Sequence, residues 1–251
     1  MTSFELNTSA WSIEDDVLPT TYDTAWVARV PSLPSLRIPA FPKSLEWLLR
    51  NQMEDGSWGA ATPVNAQDRT VSTLAAILAL KQWEALGKFA DGMKRAIDAL
   101  WRFSYGISEE SHDLIAFELI LPAMCEEALS LELPLPYHVY ATYDKVSKVK
   151  RKQIKQMTET CCSRKRPWWH SLEYLGGKIF TDETEYSLSD DMVDSHGSIM
   201  SSPSSTAFFL SVVRFRERRD VTHASEYLGK LAEKWNGGIP TLAPCMGFCE
   251  A

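Results

Sequence analysis

A chain of 251 residues with 45% hydrophobic and 24% charged side chains has ordinary globular composition and length enough to bury a substantial core, as one large domain or two small ones. Its formal net charge of −7 argues against a nucleic-acid partner, which needs a basic surface. No apolar run reaches the roughly 18 residues of a bilayer-spanning helix, so no transmembrane segment is expected.

Residues 1–20 are polar and mixed, and are expected to form an N-terminal arm ahead of a single domain over 21–251. The start "MTSFELNTSAWSIEDD" is acidic, which fits neither a secretory signal nor an Arg-rich transit peptide. The segment 20–30 predicts a first helix, with Asp23 or a threonine near its cap. Four prolines make 31–42 a loop. In 43–52, Leu45, Leu48 and Leu49 fall at helical spacing with Trp47 beside them.

The segment 69–86 is apolar nearly all round and predicts a buried helix. Further helices are expected over 89–103 and 114–131, the latter interrupted or kinked at Pro122. After a proline break at 133–137, a helix is expected over 138–160, and 161–200 is less regular. The basic run Lys145 to Lys155 reads as a solvated helix face. Helices over 204–215 and 222–235 close the set. Few windows alternate with period two, so the expected class is all-α.

The nine tryptophans suggest a thick core or a concave apolar wall. The five cysteines, at 125, 161, 162, 245 and 249, have no metal-finger spacing and read as reduced thiols of a cytoplasmic protein.

"NQMEDGSWG" (51–59) has the form Q-x-x-D-G-S-W-G. It implies a helix end, a tight turn at Asp55-Gly56, a glutamine capping helix ends, and an indole folded back on neighbouring helices. Taken with "YDTAWVA" (22–28), "DRTVSTLAAILALKQW" (68–83), "AFELILPAM" (116–124), "HSLE" (170–173), "SPSSTAF" (202–208) and "WNGGIP" (235–240), this turn completes a collinear series. The series resembles the γ domain of class II diterpene cyclases of the copalyl diphosphate synthase type, over roughly residues 20–245. The resemblance implies an α-helical (α/α) barrel, with geranylgeranyl diphosphate folded in the cleft between it and a β domain. There the substrate is protonated, cyclised and deprotonated.

The resemblance also implies residue roles. The histidine of "HSLE" and the asparagine of "NGG", His170 and Asn236 here, would hold the water that accepts the final proton. An imidazole of ordinary pKa near 6.5 suits that task, and a neutral amide orients the water without competing for its proton. On composition alone, a histidine among tryptophans reads as a hydrogen-bonded core residue. Trp168, Trp169 and Tyr22 would line the apolar pocket, where aromatic faces stabilise a carbocation. Glu109, Glu110 and Asp113 in "SEESHD" resemble an acidic motif credited with binding Mg²⁺ near the diphosphate. Their spacing does not match cleanly, and a charged helix N-terminus is the other reading.

The chain departs from the family pattern in one decisive place. The proton donor is a D-x-D-D in the β domain, and no D-x-D-D occurs here. "DDMVD" (190–194) is formally a Mg²⁺-binding D-D-x-x-D, but it stands just before "SHGSIMSSPSSTAF", where relatives carry a second Q-x-x-D-G-S turn that is degenerate here. A chance match is the better reading. Three outcomes are expected of such a chain: a γ half that needs a separate β-type partner, an inactive truncated remnant, or a prenyl-diphosphate-binding scaffold barrel whose uncovered face is an interaction patch.

Overall fold

The structure, a computed structural model, describes residues 18–32, 35–84, 90–107, 117–143, 167–175, 192–216 and 221–241. Strand β1 (Pro19–Thr20) leads into helix α1 (Thr21–Ala28), followed by α2 (Pro42–Arg50), α3 (Ala66–Gln82), α4 (Ala90–Ser104) and α5 (Phe117–Ser130). A 3-10 helix (Pro167–Leu175), α6 (Pro203–Arg216), α7 (Thr222–Lys234) and β2 (Ile239–Pro240) complete the elements.

Helices α1 and α3 begin where the chain supplies a side-chain cap. Thr20 Oγ1 accepts the Asp23 N–H at 3.3 Å to start α1, and Asn65 Oδ1 accepts the Asp68 N–H at 2.9 Å to start α3. Pro42 starts α2 at a position where its missing N–H costs nothing. α5 runs on through Pro122, so of the expected interruption or kink the interruption does not occur. The lost backbone bond is offset by the buried stripe Leu121, Met124 and Ala128. Of the predicted helix 138–160, residues 138–143 are helical and the remainder lies outside the described residues.

Burial sorts the helices into two rings. α3 buries residues on every side, including Val71, Leu74, Ile77 and Leu78, so it stands inside. α1 touches α3, α3 touches α5, α5 touches the 3-10 helix, the 3-10 helix touches α6, and α6 returns to α1. This closed circuit is the barrel wall. α2, α4 and α7 each bury one stripe only (Leu45 and Leu48, Ala96 and Leu100, Ala224 and Leu228) and pack outside it. Two apolar clusters fill the interior, and Tyr22 packs against both.

Glycine turns link the outer helices. The turn after α2 has Met53 N–H bonded to Ser57 O at 2.9 Å, Gly56 N–H to Met53 O at 2.9 Å, and Ser57 N–H to Asp55 Oδ1 at 2.9 Å. Gln52 Nε2 bridges Gly56 O and Gly92 O, so the glutamine joins the turn to α4. Trp58 folds back fully buried and donates to Leu48 O at 2.8 Å.

The segment 194–198, degenerate in sequence, keeps the same turn. Asp194 N–H reaches Ser198 O at 2.8 Å and Gly197 N–H reaches Asp194 O at 3.0 Å. Downstream, Trp58 N–H and Ile199 N–H donate to the equivalent hydroxyls of Thr73 and Thr206. The backbone therefore preserves a repeat that the side chains had obscured. β1 and β2 pair antiparallel, Pro19 opposite Pro240, so residues read with the arm close the fold against its far end.

Candidate functional site

Two carboxylates are buried where α1 and α6 begin: Asp23 at 4% exposure and Glu173, on the 3-10 helix, at 2%. Buried carboxyls need donors, and the serine-rich start of α6 supplies them. Ser204 Oγ donates to Glu173 Oε1 at 2.9 Å and Ser205 Oγ donates to Oε2 at 2.6 Å. Asp23 accepts Thr241 Oγ1 at 2.6 Å and Thr20 Oγ1 at 2.9 Å. Leu172 N–H donates to Ser205 Oγ at 3.0 Å, and Ile239 N–H to Thr24 Oγ1 at 2.9 Å.

This network has a consequence for geometry. It ties the "HSLE" segment to the first turn of α6, and the segment after "NGG" to the first turns of α1. Both segments therefore sit at the end of the barrel where α1 and α6 start.

Burial pushes the Glu173 carboxyl up to about 7, against the bonds from Ser205 and Ser204, with the nearby Asp23 charge adding to the rise. Burial also raises Asp23, opposed by Thr241, Thr20 and Ser204. The Tyr22 phenol, 3.5 Å from Glu173 Oε1, is pushed up by burial and then by the Glu173 charge. An acid weakened to a pKa near 7 is a poor donor to an alkene. Glu173 is a clamp, and it does not replace the absent D-x-D-D.

His170 stands exposed on the 3-10 helix. Asn236 is exposed in the turn after α7, in the left-handed region at φ 49°, with its carbonyl accepting Arg50 Nη2 at 3.0 Å. Trp169 is buried in the second apolar cluster, and Tyr22 is half-buried between the two. Trp168 belongs to the 3-10 helix by its backbone. Glu109, Glu110 and Asp113, like Asp190 and Asp191 of "DDMVD", lie outside the described residues. Asp194 is committed to its turn, accepting the N–H groups of His196 and Ser198 at 2.9 Å each and Ser198 Oγ at 2.5 Å. Among the described residues, no group of three or more His, Cys, Asp or Glu side chains is arranged to hold a metal ion.

At the opposite end of the inner helices a cavity of ≈ 440 Å³ opens between Trp26, Arg29, Gln82, Glu127 and Phe208, and Glu173 lines it too. Arg29 pairs with Glu127, bonds Gln82 Oε1 at 3.2 Å, and lies over the Trp26 ring at 4.4 Å.

Sequence reasoning missed Asp23 and Glu173. Both stand inside the quoted blocks "YDTAW" and "HSLE", and the hydroxyl-rich "SSPSST" was the available signal that a buried acid required donors.

No protein-family model matches the chain. It is 34% identical over 226 residues to the chloroplastic ent-kaurene synthase CPS/KS of Physcomitrium patens, covering 89% of this chain and 24% of that protein. It is 32% identical to copalyl diphosphate synthase 1 of Selaginella moellendorffii, covering 92% of this chain and 30% of that one. Among solved structures, it matches Arabidopsis thaliana ent-copalyl diphosphate synthase, in complex with an aza-dihydrogeranylgeranyl thiolodiphosphate, at a TM-score of 0.72 and 30% identity. That match covers 91% of this chain and 31% of the other. The chain thus spans about a quarter to a third of the length of these relatives.

Proposed function

Since this chain belongs to the class II diterpene cyclases of the copalyl diphosphate synthase type, we propose that it forms the γ wall of such an enzyme, the wall that removes the last proton. The substrate is geranylgeranyl diphosphate. A D-x-D-D carboxylic acid on a β-type unit, in a separate chain or elsewhere in a longer one, protonates the terminal alkene. Cyclisation then moves the charge into a bicyclic cation. That cation loses a proton to a water held between His170 and Asn236, so one proton enters, one leaves, and the reaction is an isomerisation.

The observation that supports this reading is the buried network of Asp23, Glu173, Ser204, Ser205 and Thr241. It brings the segments carrying His170 and Asn236 to one end of the barrel. Tyr22, Trp168 and Trp169 form the apolar backing of that wall. Glu109, Glu110 and Asp113 remain the proposed contact for Mg²⁺ and the diphosphate; the bound ion would neutralise phosphate charge there. No helix of the described residues is long and apolar enough to cross a membrane. A cytoplasmic location belongs to the same proposal, with a fluorescent fusion as its check.

The test is incubation with geranylgeranyl diphosphate and Mg²⁺, with and without a D-x-D-D-bearing β-type protein, followed by product analysis. Bicyclic diphosphate is expected only from the mixture. Product from the chain alone, or none with any β-type partner, overturns the reading.

A further inference from the structure

We propose that the cavity between Trp26, Arg29 and Phe208 is a binding site for a compact uncharged hydrocarbon body, with the bulk of two or three fused saturated rings. This goes beyond the proposed cyclase role, although the two places share a residue. Glu173 lines the cavity and is also the carboxyl that Ser204 and Ser205 hold. The cavity therefore backs directly onto the buried network.

Volume sets the size of the occupant. An apolar protein cavity of about 150 Å³ accepts a single benzene ring. The ≈ 440 Å³ here is roughly three times that, room for several fused rings and far more than one water needs.

The state of the polar lining sets the charge. Arg29 pairs with Glu127, and its Nε donates to Gln82 Oε1 at 3.2 Å, while Gln82 Nε2 donates back to Arg29 O at 2.6 Å. Ser130 Oγ and Ser211 Oγ donate to carbonyls of their own helices, Glu127 O at 2.7 Å and Ala207 O at 2.9 Å. Ser204 and Ser205 occupy both Glu173 oxygens, and Glu126 has an interaction of its own. The fold has turned these groups on one another. An ion of either sign would give up hydration there and would have to break an existing pair to regain a partner. An uncharged apolar body meets no such cost.

What the cavity offers in exchange is carbon. The buried rings of Trp26 and Phe208 meet edge to face at 5.9 Å between centroids, with Ala123 and Val212 beside them. Leu36, from the loop after α1, lines the same cavity yet is 53% exposed. A leucine left half in water beside an apolar cavity gains burial when the cavity fills.

The experiment is isothermal titration of the full chain with three probes of one shape: 1-adamantanol, 1-adamantylammonium and 1-adamantanecarboxylate. The alcohol is expected to bind about tenfold more tightly than either ion. Leu36→Ser, at an exposed loop position that leaves the fold intact, should weaken the alcohol about threefold. Ser211→Phe, which fills the cavity, should abolish its binding, with circular dichroism and a thermal melt confirming the fold. If that variant fails to fold, Leu36→Ser decides. An ion that binds as tightly as the alcohol overturns the proposal, as does no binding of the alcohol at about 1 mM. So does either variant, folded, that binds the alcohol as well as the parent chain. None of these readouts involves cyclase turnover, so failure here is separable from failure of the proposed function.

Discussion

Ser205 holds Glu173 twice over. Its hydroxyl donates to Glu173 Oε2 at 2.6 Å and accepts the N–H of the preceding Leu172 at 3.0 Å, so one side chain at the start of α6 pins the 3-10 helix by both a carboxyl and a backbone group. Glu173 lines the cavity on one side and, three residues along from His170, anchors the opposite end of the barrel.

Removing that pin should cost stability out of proportion to its size. Ser205→Ala leaves a buried N–H and a buried carboxyl oxygen without their partner, a loss of about 2 kcal/mol. Urea unfolding monitored by circular dichroism reads it as a lower midpoint at unchanged slope. A loss under about 0.5 kcal/mol would mean the 3-10 helix is held by packing alone.

The raised carboxyls set a pH dependence with a definite sign. Glu173 titrates near 7 in the fold against 4.5 ordinarily, so between those values the folded chain binds more protons than the unfolded one. Its contribution to stability is complete below about pH 4.5 and is lost as pH rises through 7, by about 3 kcal/mol in total. Asp23, also raised, acts in the same direction. Asp55 acts oppositely: despite its burial cost, the bonds from Ser57 hold it below its ordinary value. The difference between parent and Glu173→Gln isolates the Glu173 share: relative to the variant, the parent should lose stability from pH 5 to pH 8. A flat difference would contradict the assignment.

Two glycines carry the outer ring. Gly56 and Gly197 adopt φ of +85° and +88°, and a Cβ would stand 2.4 Å from Arg95 O and 2.2 Å from His223 O. Gly56→Ala and Gly197→Ala should each destabilise by about 2–3 kcal/mol, since strain and a backbone clash add. Thermal melts should show each variant several degrees lower. Because the two turns seat on different helices, the double variant should be close to additive.

His170 and Asn236 separate chemistry from folding. His170 is exposed, so His170→Ala should leave the melting temperature within about a degree while lowering olefin formation in the β-partnered reaction by 100-fold or so. At Asn236, with φ of 49°, glycine is the replacement that keeps the backbone conformation. Asn236→Gly should fold normally and shift product towards hydroxylated diphosphate, as water adds to the cation in place of taking its proton. Unchanged products from both variants would remove the pair from the proposed deprotonation.

The helices were legible in the sequence because their signals are local. Thr20, Asn65 and Pro42 mark starts, and the uninterrupted apolar run of α3 marks an inner helix. The order of motif blocks gave the family, since collinearity survives when individual residues change. Pro122 does not interrupt α5, because propensity charges a fixed cost whereas the buried face of α5 offsets it only in the packed barrel. The second turn misled: Asp194 takes over the capping that Asp55 performs in the first, from a different place in the turn, and Gly197 keeps the conformation. The buried acids left only an indirect trace in the sequence, the hydroxyls of "SSPSST". Asp23 and Glu173 are 150 residues apart, and what raises both carboxyls is burial, against the opposing hydroxyls at the start of α6, a setting that exists only once the 3-10 helix closes the ring between α5 and α6.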